Sequence, residues 1–338
     1  ALASCAAAKG EAKVSSTDFV TADGIHFKLK GETYRYVGAN IWYGAYLGSA
    51  ASFGDRTRLI KELDDLKALG VTNLRVLGSS ELSPLINSLD PAFSYAPGKY
   101  NDDLLSGLDF LLAEMGKRDM KAVLYLTNFW EWSGGMVTYQ YWTNGGHYIN
   151  MNDPAHPWPE FADFSAQFYA SGAAKRAYWD YVGMLTNRVN ALTGKAYKDD
   201  PAIMAWETGN ELQHVPAAWT AEIAALIKAN APRQLVADGA NGSIAALDDP
   251  NIDLLTDHYY DHGGKDYIAR VLKNLEKVRG KKPFFVGEFG CTDPDMELGA
   301  MDAVLHSGAT GALFWSLRFH SAEGGFYWEK TDLADKLK

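Results

Sequence analysis

The chain has 338 residues, of which 47% are hydrophobic and 22% charged, and its formal net charge is −10. Such a length can bury a large core, and the composition is ordinary for a soluble globular protein. The acidic balance argues against nucleic acid as a partner, since phosphate binding needs clustered Lys and Arg. No apolar stretch approaches the roughly 18 residues of a membrane-spanning helix.

The first residues predict export. Residues 1–10, ALASCAAAKG, resemble the end of a secretion signal, with small residues around a cleavage point. Residues 2–5, LASC, match a bacterial lipoprotein box, in which Cys5 would carry a lipid and attach the protein to a membrane. An ordinary signal-peptidase site or a flexible Ala-rich leader is the alternative. We therefore expect a periplasmic, outer-membrane or extracellular protein, with residues 1–15 as leader remnant and flexible N-terminus and residues 16–338 as one folded domain.

Eight short apolar segments predict β-strands. They are near-continuous apolar runs rather than alternating ones, which is typical of strands covered on both faces. They lie at residues 36–39, 71–77, 122–126, 203–206, 235–237, 252–256, 284–286 and 312–317.

Helical patterns separate the strands. In residues 55–70, an apolar stripe of Leu59, Leu63, Leu66 and Leu69 ends at a Gly. Residues 101–120, 175–194, 217–230, 265–280 and 295–308 have the same character. Eight strands alternating with helices, without a Pro- or Ser-rich linker, predict an α/β fold, the (β/α)8 TIM barrel. A doubly wound open sheet is the alternative, but VGANIWYGAYLGSA at residues 37–50 lacks its Gly-rich phosphate turn.

Polar and aromatic residues near the carboxyl ends of the strands are the candidates for a functional site, because barrels of this kind carry their chemistry there. Glu211 follows the fourth strand and Glu288 follows the seventh, so two carboxylates are expected at one rim. The full set of candidates is Arg75, Asn128, Trp130, Asn210, Glu211, His258, Tyr260, Glu288 and Trp315.

Two carboxylates at one rim suit glycoside hydrolysis. One protonates the leaving oxygen, and the other attacks the anomeric carbon or activates water; a separation of about 5–5.5 Å predicts retention, and a wider gap predicts inversion. Glu207 faces the same side as Glu211 but lies ~13 Å away by the rise per residue of a strand. We therefore interpret Glu207 as a structural residue, hydrogen-bonded or paired with Arg75.

Longer segments around these residues resemble glycoside hydrolase family 5, a family of barrel enzymes with catalytic Glu residues on strands four and seven. WETGNEL at 206–212 and VGEFG at 286–290 resemble its two signature segments. LTNFWEWSGGMVTYQYW at 126–142 and RVNALTGKAYKDDPAIMAWETGNE at 188–211 resemble its β-mannanase subfamily, and the likeness covers nearly the whole folded chain. The family usually has Asn-Glu-Pro after strand four; here Leu212 replaces the Pro, and Thr208-Gly209 replace bulkier residues.

The resemblance implies that Glu211 is the general acid/base and Glu288 the nucleophile. We expect a raised pKa at Glu211 and an ionised Glu288 with Arg75 and Tyr260 as its partners. Asn210 would bind the sugar hydroxyl next to the anomeric carbon. The remaining expectations are that His258 orients Glu211 or binds substrate, that Trp315 forms the floor under the sugar being cleaved, that Asn128 contacts substrate, and that Trp130 and Trp132 stack on neighbouring sugars or pin their loop.

No metal or other cofactor is expected. His258 and His262 are four residues apart beside Asp257 and Asp261, a spacing that on a helix would suggest a metal pair. This segment follows a strand and runs into two Gly residues, so the rings need not converge.

The sequence therefore predicts a monomeric, retaining endo-β-1,4-mannanase that acts on mannan or manno-oligosaccharides. The alternatives are an exo-acting β-mannosidase on the same fold, a β-1,4-glucanase, and an inactive sugar-binding barrel. Residues 134–168, rich in Trp, Tyr, His and Pro, are interpreted as a long loop over the barrel mouth that sets where a sugar chain binds.

Overall fold

The computed structural model describes residues 15–317 except 87, 152, 243–245, 261–266, 279, 291–298, 300, 303 and 305. The strands are β1 (Thr21–Asp23), β2 (His26–Leu29), β3 (Glu32–Tyr34), β4 (Tyr36–Asn40), β5 (Asn73–Leu77), β6 (Ser94–Ala96), β7 (Lys99–Tyr100), β8 (Lys121–Tyr125), β9 (Ile203–Glu207), β10 (Leu235–Asp238), β11 (Leu254–Tyr260), β12 (Phe284–Gly290) and β13 (Gly311–Phe314). The α-helices are α1 (Gly44–Gly48), α2 (Arg56–Ala68), α3 (Asp102–Lys117), α4 (Gly135–Thr143), α5 (Trp158–Ala166), α6 (Gly172–Asn187), α7 (Ala217–Asn230) and α8 (Tyr267–Val278).

Eight strands close a parallel barrel in the order β4-β5-β8-β9-β10-β11-β12-β13, with β13 paired to β4. All eight were predicted as strands, and the (β/α)8 fold is confirmed. Their side chains are buried on both faces: β5, β8, β9 and β10 have no exposed residue. The antiparallel sheet β1-β2-β3 and the hairpin β6-β7 lie outside the barrel.

The outer helices follow the predicted apolar stripes. Helix α2 begins after Asp55, whose side chain accepts a hydrogen bond from the Arg58 amide at 2.9 Å, and it buries Leu59, Leu63 and Leu66. Leu69 was expected on the same stripe, but it is 49% exposed because it is the C-cap residue, beyond the last helical turn. Among the described residues, no helix combines the length and the apolar character that crossing a membrane requires.

Two local predictions were wrong. Residues 134–168 are not a long loop but a helical insertion that contains α4 and α5. Helix α6 ends at Asn187 rather than near 194, since Arg188 leaves the helical conformation and its side chain pairs with the buried Asp109 at 2.7 Å. Half of the residues of the predicted helix at 295–308 lie outside the described residues, as do Cys5, Asp261 and His262.

Candidate active site

Glu288 lies within β12 and is buried in the barrel mouth. One carboxylate oxygen accepts a hydrogen bond from Arg75 Nη1 at 2.7 Å, and the other accepts one from the Tyr260 hydroxyl. Gly287, the residue before it, leaves room for this arrangement, since a Cβ there would come within 2.8 Å of His258 Nε2. Both expected partners of Glu288 are thus in contact with it.

Arg75 organises the floor of the site. It is fully buried in the middle of β5, not at the strand end as the sequence interpretation had it. Its guanidinium binds Glu207 through two hydrogen bonds of 2.7 and 2.8 Å, and it lies 4.3 Å from the centre of the Tyr125 ring. A cation bonded to both Glu207 and Glu288 offsets much of the cost of burying two acids. The interpretation of Glu207 as a structural partner of Arg75 is therefore confirmed.

Glu211 lies on the loop after β9, with its backbone in the left-handed region at φ 50°. A conformation of this kind costs about 1–3 kcal/mol for a residue other than Gly and persists only where the surroundings impose it. His258 Nδ1 lies 2.7 Å from Oε1 of Glu211, and the Trp130 indole N–H donates to Oε2. The Glu211 side chain is 15% exposed, against 5% for Glu288.

Leu212, which stands where the family usually has Pro, fits the turn that holds Glu211. Its backbone N–H donates to the Gly239 carbonyl at 3.0 Å, a hydrogen bond that Pro could not make. Its buried side chain packs over Gly209, where a Cβ would lie 2.7 Å from the nearest Leu212 methyl. The two departures from the family pattern, Leu212 and Gly209, therefore compensate each other.

The two carboxylates face each other across a short gap. A carboxylate oxygen of Glu211, one of Glu288 and a ring nitrogen of His258 all lie within 4.8 Å of one another. Three such groups could also ligate a metal ion, but their oxygens already accept hydrogen bonds from Arg75, Tyr260 and Trp130. The cationic guanidinium 2.7 Å from Glu288 disfavours a second cation there.

The pKa values of Glu211, His258 and Glu288 are coupled. Burial raises the pKa of Glu288, and the charge of Glu211 raises it further, against the opposing effects of His258, Arg75 and Tyr260. Burial also raises the pKa of Glu211, but hydrogen bonds from His258 and Trp130, with the charges of His258 and Arg75, hold it below its usual value. The expectation of a raised pKa at Glu211 was wrong for the free site.

His258 accounts for this difference. Burial lowers the pKa of its ring, but the charges of Glu288 and Glu211 and the hydrogen bond to Glu211 outweigh burial and raise it. These opposite shifts favour a proton on the His258 ring over a proton on the Glu211 carboxylate. Groups this close titrate as a unit.

Hydrogen-bonded side-chain amides connect Arg75, which contacts Glu288, with Trp130, which contacts Glu211. Asn210 accepts from Arg75 Nη2 at 2.7 Å and donates to Asn128 Oδ1 at 3.0 Å. Asn128 also donates to Ser133 and accepts from the Trp130 backbone N–H. Asn128 is fully buried, and these hydrogen bonds position Asn210 and Trp130; its contact with substrate stays a prediction.

Two aromatic groups flank the carboxylates. On one side, Trp315 follows β13, and its backbone N–H donates to the Phe289 carbonyl at 2.9 Å. The Trp315 ring lies 6.3 Å from that of Trp132. Trp132 in turn packs edge-on against the buried Trp42. On the other side, Trp130 packs against Trp158, the first residue of α5.

Sequence reasoning missed three residues of the site. Asn40 ends β4, accepts from Arg75 Nη1 at 3.2 Å and donates to the Gly287 carbonyl; the strand-end rule could have found it. Tyr125 under Arg75 looked like an ordinary core residue. Trp158 lies in the insertion that was interpreted as a loop, and no local signal connects it to Glu211.

Comparison with known proteins agrees with the resemblance to glycoside hydrolase family 5 that the sequence motifs indicate. A family model described as glycoside hydrolase family 5, beta-mannosidase-like, matches residues 17–302. A putative mannan endo-1,4-beta-mannosidase 9 of Oryza sativa is 27% identical, over 94% of this chain and 83% of the relative. Mannan endo-1,4-beta-mannosidase 7 of Arabidopsis thaliana is 26% identical, over 95% and 79%.

Two solved structures share the fold over most of the chain. A glycoside hydrolase family 5 mannosidase from Rhizomucor miehei is 31% identical, with a TM-score of 0.82 over 90% of this chain and 86% of that one. An endo-1,4-beta-mannanase from the same organism is 23% identical, with a TM-score of 0.70 over 88% and 90%, and this second likeness shows the fold alone.

Proposed function

The chain belongs to glycoside hydrolase family 5 and is a glycoside hydrolase, and from this premise we propose that it is an endo-β-1,4-mannanase that cleaves mannan or manno-oligosaccharides with retention. Curated relatives that match nearly the whole chain carry the name mannan endo-1,4-beta-mannosidase, which supports the mannan substrate. Both carboxylates needed for hydrolysis are present, which disfavours an inactive sugar-binding barrel.

One observation carries the retaining mechanism: the closest carboxylate oxygens of Glu211 and Glu288 are within 4.8 Å. Retaining enzymes hold their carboxyl groups about 5–5.5 Å apart, whereas inverting enzymes need a wider gap for a water molecule. The short gap supports direct attack by one of the two residues on the sugar.

In the first step, Glu288 attacks the anomeric carbon while the bond from that carbon to the leaving oxygen breaks. Arg75 and Tyr260 hold the Glu288 carboxylate in place from two sides. Glu211 gives a proton to the leaving oxygen, and His258, 2.7 Å from Glu211, supplies that proton when substrate enters. The products are a glycosyl ester on Glu288 and the free leaving-group sugar.

In the second step, Glu211 removes a proton from water, and the water oxygen attacks the anomeric carbon. The ester bond to Glu288 breaks, and the sugar leaves with its original configuration. Burial of Glu288 favours the first step, because burial disfavours the free carboxylate and the ester formed in that step carries no charge.

An exo-acting β-mannosidase is the second candidate. It is favoured by one observation: the Rhizomucor miehei mannosidase shares 31% identity with this chain, compared with 23% for the endo-mannanase of that organism. The two activities differ in whether the glycone side of the cleft accepts more than one sugar.

Hydrolysis of mannohexaose and cellohexaose, followed by chromatography, separates the candidates. A ladder of shorter manno-oligosaccharides is expected for the endo enzyme, and release of mannose alone would support the exo enzyme. Cleavage of cellohexaose alone would overturn the mannan substrate in favour of a β-1,4-glucan. Proton NMR of the first product formed should show the β-anomer; an α-anomer would exclude retention.

We also propose that the protein is exported and lipidated on Cys5, and that it acts as a monomer. The first proposal is supported by residues 2–5 and the small residues around them, which lie outside the described structure. Expression of the full-length gene in a bacterial host with labelled palmitate should label the protein, and Cys5→Ala should not be labelled. Light scattering of the purified protein tests the monomer.

A further inference from the structure

Trp158 is the most exposed member of an aromatic cluster formed by Phe129, Trp130, Trp158 and Phe161. Trp130 connects this cluster to Glu211 by its hydrogen bond. Its ring lies 5.3 Å from that of Trp130 at 35° and 5.4 Å from that of Phe129 at 68°. Phe129 and Phe161 are buried beneath and contact each other at 5.6 Å, whereas Trp158 is 43% exposed. The cluster thus runs from the core, through the half-buried Trp130, to an indole in contact with solvent.

Trp158 is held rigidly where it emerges. It begins α5 directly after Pro157, and Pro159 follows it. The far end of the helix is tied to α4, because Gln140 Nε2 donates to the Phe164 carbonyl at 2.6 Å. An aromatic ring fixed in this way can bind a ligand without losing conformational freedom.

The position of the cluster identifies the part of a substrate that reaches it. An acid catalyst touches the leaving oxygen, so the sugar beyond that oxygen lies on the side of Glu211. Trp130 donates directly to Glu211, and Trp158 extends the surface of Trp130. Trp132 and Trp315 form a separate group, and Trp315 bonds to Phe289, the neighbour of Glu288.

We propose that Trp158 is a specificity-determining residue whose exposed face stacks on a sugar of the leaving group, beyond the sugar joined to the cleaved bond. The inference rests on the proposed function, because it assumes that Glu211 protonates a glycosidic oxygen. The apolar face of a hexose fits a flat ring, and binding there removes the indole from water. The helical insertion that carries Trp158 thereby selects for substrates with a long leaving group.

The test compares two substrates, of which only one has a leaving group long enough to reach Trp158. Mannopentaose reaches Trp158, whereas β-mannosyl fluoride has a leaving group of one atom. Trp158→Ala should lower kcat/KM for mannopentaose about tenfold, mainly through KM, and change kcat/KM for the fluoride by less than about twofold. Trp158→Phe should recover most of the loss. Trp179→Ala, on the outer helix α6, is the matched control and should behave like the wild type.

Each other outcome has a definite meaning. Equal losses on both substrates, with a shifted pH profile, would mean that Trp158 acts through Trp130 on Glu211, and the proposal would be wrong. No loss on mannopentaose would refute it as well. If the wild type cleaves only cello-oligosaccharides, the mannan substrate fails, and cellopentaose compared with β-glucosyl fluoride then decides the role of Trp158.

Discussion

The two carboxylates of the site are held in different ways. Glu288 lies within a barrel strand, and its two hydrogen-bond donors, Arg75 and Tyr260, also lie within strands. Glu211 lies on a loop with a left-handed backbone, and it is held by His258 of β11 and by Trp130, which lies in the loop after β8. The barrel itself fixes Glu288, the proposed nucleophile, whereas loops and the helical insertion contribute to fixing Glu211, the proposed acid.

This difference matches what each residue must do. The nucleophile attacks one atom in one direction, so a rigid and buried position suits it. The acid must exchange protons with His258, with the leaving oxygen and with water, so it needs a more open position. We call Glu288, Arg75 and Tyr260 the barrel half of the site, and Glu211, Trp130 and the helical insertion the loop half. Activity is therefore expected to be sensitive to any change of charge in the barrel half, and to changes in positioning and pH in the loop half.

The largest effect is expected at Glu288. Glu288→Ala and Glu288→Gln should each lower kcat by roughly 10⁴- to 10⁶-fold, since no covalent intermediate can form. Arg75 keeps its two bonds to Glu207, so circular dichroism should show an intact fold. Glu222→Gln, on the outer face of α7, is the control for removing a carboxylate. Activity near the wild-type level in either variant would remove the nucleophile assignment.

At Glu211 the effect should depend on the leaving group. Glu211→Ala should lower kcat/KM for phenyl β-mannoside by roughly 10²- to 10⁴-fold, because general acid catalysis contributes about this much. With 2,4-dinitrophenyl β-mannoside, whose leaving group needs no proton, kcat/KM should change little. Equal losses on both substrates would assign Glu211 another role.

Glu81 should make the stability of the protein depend on pH. It is fully buried, accepts from the Gly135 backbone N–H at 2.7 Å and from Ser79, and burial raises its pKa to about 7. The folded protein therefore binds this proton more tightly than the unfolded chain. The stability linked to it is complete below about pH 4.5 and is lost as the pH rises through about 7, a cost of about 3 kcal/mol at higher pH.

Glu81→Gln should remove that dependence. Urea unfolding at pH 5 and pH 8 is the measurement, and the free energy of unfolding of the variant should exceed that of the wild type at pH 8. Lys61→Gln, which removes a charge on an exposed face, serves as the control. A wild type and a variant that lose stability in parallel between the two pH values would contradict the assignment to Glu81.

The smallest effect is expected at Trp130. Trp130→Phe retains a ring against Trp158 but removes the N–H that lowers the pKa of Glu211. The pKa of Glu211 should rise, so the alkaline limb of the pH profile should move to higher pH. We also expect a loss of kcat/KM of at least about tenfold, the lower end of the value of one hydrogen bond to a charged group. Trp132→Phe should leave the alkaline limb unmoved, and a shift there would show that ring size and not the N–H matters.

The barrel half of the site could be predicted from the sequence to a greater extent than the loop half. The strands that form the barrel half are continuous apolar runs, so their existence and type followed from local pattern. Glu288 and Tyr260 follow shortly after two of these runs. The extents of β11 and β12 were underestimated, because polar residues extend both strands up to the rim.

The loop half was harder because its contacts join distant parts of the chain. Trp130 and Glu211 are 81 residues apart, and Trp158 reaches them only because α5 packs on Phe129. Asn128 looked like a substrate contact, yet its surroundings bury it completely. Spacing along the chain carries no information about which side of such a residue faces solvent.

The sequence by itself determined the closed ring of strands and the presence of two carboxylates at its rim, since apolar runs and strand-end positions are local properties. Only the tertiary structure decided the gap between Glu211 and Glu288, the opposite pKa shifts of Glu211 and His258, and the place of Trp158. Each of these depends on burial and on charges brought together from several elements, and such quantities exist only once the chain has folded.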